Sequence, residues 1–145
     1  MLRRAPFAIF AVVLIAAAVF CYLVMPFSPV GQPMQVDRQK APDGTEMLIA
    51  QTYTGTAEPY VVSFFVRNGE KSGWWWYYLD HQAFFWRGKI ELHPENNTAV
   101  IRRGHMAIAQ YNWVEGKFEW INGGLKTSTE AQGKVMGDPL SKPAK

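Results

Sequence analysis

GWWWYYLDHQAFFWRG, residues 73–88, concentrates more aromatic side chains than any other stretch of this chain. Trp74, Trp75, Trp76, Tyr77 and Tyr78 follow one another, and Phe84, Phe85 and Trp86 resume before Arg87. On a strand, alternate residues project to opposite faces. Trp74, Trp76 and Tyr78 then share one face, and Trp75, Tyr77 and Leu79 the other. The next strand divides in the same way, with Phe84 and Trp86 against Phe85 and Arg87. The preceding one sets Val62, Phe64 and Val66 against Val61, Phe65 and Arg67. Three consecutive strands are thus bulky on both faces. One face must be the core. The other can be covered by the chain itself, a partner protein, the membrane surface or a glycan stacked on the indoles. The contact candidates are Trp74, Trp75, Trp76, Tyr77, Tyr78, Phe85, Trp86 and Arg87.

Outward from this stretch, turn signals recur about every ten residues, the rhythm of an all-β domain. Expected strands are Glu46–Tyr53, Tyr60–Arg67, Trp74–Leu79, Ala83–His93, Ala99–Arg103, Met106–Val114 and Lys117–Ile121. Asn68-Gly69 suits a type I′ hairpin turn, because both central residues need positive φ. With Glu115-Gly116 as the last loop, Trp113 faces Phe118 and Tyr111 faces Trp120. These four rings then share one face, while Asn112, Lys117 and Glu119 share the other. Cross-strand aromatic pairs are favourable in such positions. The expected fold is all-β, a small antiparallel meander of about seven strands. It closes into a barrel or folds into a two-layer sandwich, behind one N-terminal transmembrane helix.

That helix is read from Pro6 to Met25, a charge-free run matching the ~20 residues needed to span a bilayer. Arg3 and Arg4 precede it, so the N-terminus stays cytoplasmic and the rest is exported, to the periplasmic or extracellular side. A signal peptide cleaved after Ala18 is the competing assignment, but the apolar run continues to Met25, beyond a normal signal core. Residues 1–25 are therefore a cytoplasmic stub and anchor, 26–45 a Pro-rich extended tether, 46–125 the β domain and 126–145 a disordered polar tail.

The formal charge of +3 comes from Arg3, Arg4 and the C-terminal lysines, leaving 46–125 close to neutral. A nucleic-acid reader would carry a basic stripe on its domain, so that class is set aside. Cys21, the one cysteine, lies in the apolar run, so the exported part has no disulfide and no thiolate nucleophile. Stability must come from packing.

Candidate chemistry is thin. His81, His93 and His105 are evenly spaced, but a hairpin with Asn96-Asn97 at its tip sets His93 beside Val100 and His105 beside Gly88, about five residue pairs apart and too far for one metal. His105 and Met106, adjacent on a strand, point to opposite faces and make a poor soft-metal site with Met47. Asp80-His81 has residue types suited to a base and its orienter, yet no serine or cysteine is placed to use them. The pair reads as a loop between aromatic strands. Glu91 falls across from Arg102 or Arg103 as a cross-strand ion pair. No catalytic residue, metal or cofactor is expected. No motif marks a known family. The expected function is a membrane-anchored, non-catalytic binding, assembly or accessory subunit of a membrane or envelope complex. The alternative is a secreted module binding a glycan or metal ion through the aromatic face.

Overall fold

The computed structural model describes residues 12–16, 31–55, 60–82, 87–121 and 129–141, without the side chains of His81 and Gln82. Among these residues nine strands follow in chain order: β1 Pro33–Lys40, β2 Thr45–Tyr53, β3 Tyr60–Asn68, β4 Trp74–Gln82, β5 Gly88–His93, β6 Thr98–Arg103, β7 Met106–Asn112, β8 Lys117–Trp120 and β9 Gly133–Val135. They form two antiparallel sheets, ordered β1-β2-β3-β4-β9 and β5-β6-β7-β8. The described residues are mostly β, a meander folded into two layers.

The inner faces meet in one core. The first sheet contributes Met47, Ile49, Val62, Phe64, Val66, Tyr77 and Leu79, and the second Ile90, Ala99, Ile101, Tyr111 and Phe118. β3 shows why: its buried residues Tyr60, Val62, Phe64 and Val66 alternate with half-buried Val61, Ser63, Phe65 and Arg67. Tyr77 stacks on Phe118 across the layers, centroids 4.6 Å apart and planes 17° from parallel. In the final hairpin Tyr111, Trp113 and Phe118 are buried and Trp120 packs against the core, as the alternation requires.

Along one side, β1 and β5 are joined by a side chain. Asp37 Oδ2 accepts the Ile90 N–H at 2.6 Å, satisfying a donor on the edge of the second sheet. At one end, Thr45 pairs with Asn68 beside the β3–β4 turn. At the opposite end, Tyr53 pairs with Tyr60 and Tyr60 with Gln82, and the Gly31 N–H bonds Tyr53 O at 2.7 Å. The chain therefore enters the sandwich at the end away from the β3–β4 turn.

Several expectations are corrected. Pro33–Lys40, assigned to the tether, is edge strand β1. A bulge between Gln35 and Asp37 breaks the alternation that would have announced it, and Pro33 sits at the first residue, where a strand tolerates proline. Gly133–Val135, assigned to the disordered tail, is β9, paired with Trp74–Trp76. Gly73 and Gly133 permit this close approach: a Cβ on Gly133 would stand 2.9 Å from Trp76 Nε1.

Two hairpins are shifted by two residues. Glu91, not His93, pairs with Val100, and His93 pairs with Thr98, around a 3₁₀ turn at Pro94–Asn96 whose C-cap Asn97 has φ 54°. Phe118 pairs with Tyr111, because the Asn112 side chain accepts the N–H groups of Val114 and Glu115 and lengthens the loop. A shift of two preserves which face each side chain takes. Gly69 has φ 80° but Asn68 ends β3 without positive φ, so the type I′ turn is replaced by a longer loop. There the Ser72 hydroxyl donates to Asn68 O at 2.7 Å. β4 continues through Gln82, which puts Asp80 and His81 on the strand and not in a loop. Among the described residues no helix is long and apolar enough to cross a membrane. Most of the expected anchor lies outside the described residues, as do Phe84, Phe85 and Trp86; Val12–Ala16 is helical.

Candidate functional site

The consecutive tryptophans meet three different environments. Trp74 points outward yet is only 2% exposed. The guanidinium groups of Arg67 and Arg38 lie over its ring at 4.6 and 5.6 Å, a cation–π arrangement. Glu46, opposite Arg67 in the register, binds both cations: Arg38 Nη2 donates at 2.6 Å and Arg67 Nη2 at 2.9 Å. The Arg38 bond, more than the Arg67 bond, holds the Glu46 carboxyl below its ordinary value against the opposing effect of burial. Leu48 and Ala50 on the same outward face are also buried, so this face is closed over β2. Trp76, half-buried, lies over Gly133, and its carbonyl accepts the Gln132 N–H at 2.8 Å. Tyr78 is half-buried.

Trp75 shares the inward direction of Tyr77 and Leu79. It pairs with Val66 close to the end of β3, where the facing sheet offers Tyr111 and the Gly116 turn. Its indole is 47% exposed. A cleft opens there, lined by Val66, Asn68, Ser72, Trp75, Tyr77, Tyr111 and Gly116. It adjoins a second groove past Glu115, Lys117, Phe118, Glu130 and Ala131. Lys134 on β9 holds its ammonium 5.2 Å from the Trp75 ring. Burial raises the pKa of Tyr77, and burial followed by the neighbouring Tyr77 and Asp43 pushes Tyr111 up to about 12. Both hydroxyls are therefore protonated donors at neutral pH. The cleft offers a flat indole, two phenols and a serine hydroxyl: stacking and hydrogen bonding to a polar partner.

The other candidates lie apart. Arg87 is exposed at the opposite end, where its carbonyl accepts the Gly104 N–H at 2.9 Å. Asp80 is ion-paired with Arg103 at 2.8 Å. A β4 bulge at Leu79 turns Asp80 from the outward row to a place opposite Val62, from which it reaches the second sheet. Glu91 bonds Arg102 at 2.7 Å across the strands, and that bond holds its carboxyl below the usual value. His93 sits near Glu91 and Glu95 at one end of β5, while His105 follows Arg103 at the other end of the hairpin. Among the described residues no group of three or more His, Cys, Asp or Glu side chains is placed to hold a metal ion. Phe85 and Trp86 lie outside the described residues. Lys134, Ser72 and Tyr111 are not among the contact candidates read from sequence. Lys134 stands in a segment without alternation, and the other two become neighbours of Trp75 only when the sheets stack.

Fold and cleft together define a two-layer β-sandwich with an aromatic cleft at one end. No protein-family model, curated protein or solved structure matches the chain.

Proposed function

We propose that this chain is a single-pass membrane protein whose exported β domain is a non-catalytic binding, assembly or accessory subunit of a membrane or envelope complex. The domain meets its partner at the Trp75 end. The observation that carries this is Trp75 itself, a half-exposed indole at a cleft mouth in a strand whose other aromatics are largely covered. Tryptophan and tyrosine at such positions dominate interface energetics. The anchor is supported by helical Val12, Val13, Leu14 and Ile15, apolar side chains 55–65% exposed and suited to lipid. The test is a photo-crosslinker at position 75 in intact membranes, paired with purification of the Trp75→Ala chain in mild detergent. A cross-linked partner that the variant no longer retains supports the proposal. A partner set unchanged by Trp75→Ala refutes the assigned surface, and a chain that purifies alone refutes the subunit role.

A second reading, a glycan-binding module, is favoured by the same indole beside the Ser72 hydroxyl. Titration of tryptophan fluorescence with oligosaccharides separates the two: saturable quenching lost in Trp75→Ala would replace the protein partner by a sugar.

A further inference from the structure

The two ends of the sandwich differ in charge and in distance from the anchor. Gly31 enters beside Tyr53, at the end remote from Trp75. With the anchor ending at Met25, residues 26–30 remain between bilayer and domain. Five residues reach at most about 18 Å when fully extended. The nine-residue strand β2 spans the sheet from that end to the other, or about 30 Å. An inverted domain would need its entry point about 30 Å from the bilayer, beyond what the connection reaches. With that anchor, the Trp75 end therefore cannot be the one that rests on the membrane.

The end that receives Gly31 is basic. Asp80–Arg103 and Gly88–Arg103 bring the start of β5 and the β6–β7 turn to it. Lys89 and Arg102 share Glu91, at 3.5 and 2.7 Å, and Arg103 pairs with Asp80 at 2.8 Å, so that with Arg87 four cations stand there against two carboxylates. Arg87 is exposed, the Lys89 side chain is 60% exposed and that of Arg103 45%. The turn carries Gly104 at φ 59° and projects Met106, 45% exposed, beside the arginines. Arg102 Nη1 donates to His105 O at 3.1 Å and fixes its shape. Cations around an apolar tip match a bilayer surface, where headgroup charge attracts Lys and Arg and the interface accepts a thioether.

We infer that this end docks on the surface of the anchoring bilayer, with Arg87, Lys89 and Arg103 on anionic headgroups and Met106 in the interface. The domain then stands with its Trp75 cleft directed outward. Docking rests on the anchor proposed above, and the test separates the two. The full chain, with Cys21→Ala, carries a polarity-sensitive probe at Met106→Cys or, as a second position on the same turn, at His105→Cys. A control probe at Glu70→Cys reports the Trp75 end. Each is reconstituted in phosphatidylcholine vesicles with and without phosphatidylglycerol, and quenching by spin-labelled lipid is measured. Quenching at the turn is expected in the anionic vesicles, with none at position 70. Arg87→Gln and Lys89→Gln should each weaken the docking equilibrium about fivefold, and high salt should abolish it. A turn probe that stays in water in both vesicles, while the chain resists alkaline extraction, overturns docking and leaves the anchor standing. Quenching at position 70 overturns the orientation. Release of the chain by alkaline extraction refutes the anchor, and docking with it.

Discussion

Replacing Glu46 by glutamine keeps the shape of the side chain and removes the charge that joins two arginines above Trp74. The Glu46 side chain is 10% exposed, Arg67 18% and Arg38 39%. Arg38 can recover water, so its share resembles a surface ion pair, at most about 1 kcal/mol. Arg67 recovers less, and its Nε is already buried without a partner. A hydrogen bond to a charged group contributes about 1.5–3 kcal/mol, so Glu46→Gln should cost about 2–3 kcal/mol at neutral pH. In urea unfolding of the full chain in mild detergent, followed by tryptophan fluorescence, that is a midpoint shift of roughly 1–2 M. The pH dependence has a definite sign. The Glu46 pKa is lowered from 4.5 in the folded state, chiefly by the Arg38 hydrogen bond. Its stabilisation is therefore fully present above the unfolded value and is lost as pH falls through the folded one. The gap between the native chain and the variant should be flat near pH 7 and close progressively below about pH 4.5. A gap under about 0.5 kcal/mol at pH 7, or one that persists undiminished into acid, would refute the ionic cover of Trp74.

Two neighbours in the aromatic run should behave differently. Tyr77→Ala removes a buried ring stacked on Phe118 and should cost about 3–5 kcal/mol, whereas Trp75→Ala, at the cleft mouth, should cost under about 1 kcal/mol in the same urea assay. Asp37→Ala leaves the Ile90 N–H on the edge of β5 without its acceptor. A loss of about 1–2 kcal/mol, with faster hydrogen exchange at Ile90, is the expected result. Tyr111 has its pKa raised from 10.0 to about 12. Stability should be unaffected below the unfolded value and fall as pH rises from about 10 through the folded value, because the unfolded chain ionises first. Ultraviolet titration of the phenols checks this, with Tyr111→Phe removing a component that ionises at about pH 12.

Much of the fold was legible because strand alternation is a local property. β2 to β4 and β6 to β8 lie close to where the residue pattern placed them, and their core-facing rows follow the predicted parity. Alternation failed where the backbone departs from period two. The bulge near Val36 hid β1, and the bulge at Leu79 moved Asp80 off the row of Trp76 and Tyr78. β9 has no hydrophobic alternation of its own. It is held by hydrogen bonds to Trp74–Trp76 and by two glycines that let the strands approach. The hairpin registers slipped by two because side-chain bonds, such as those of Asn112, lengthened loops that composition alone would leave short.

Of the candidate site, the sequence by itself determined that the run from Trp74 to Tyr78 is a strand bulky on both sides, and which residues share each side. It also determined that a domain without disulfides must spend aromatics on its core. Which rings are covered is a different kind of fact. Trp74 and Trp75 are adjacent and chemically identical. One is sealed by arginines from β1 and β3, and the other stands at the open end of the sandwich. That difference arises from where the facing sheet ends and where distant cations fall. Such relations exist only once the two layers have packed, so tertiary structure alone separated, within the run from Trp74 to Tyr78, a sealed indole from an exposed one.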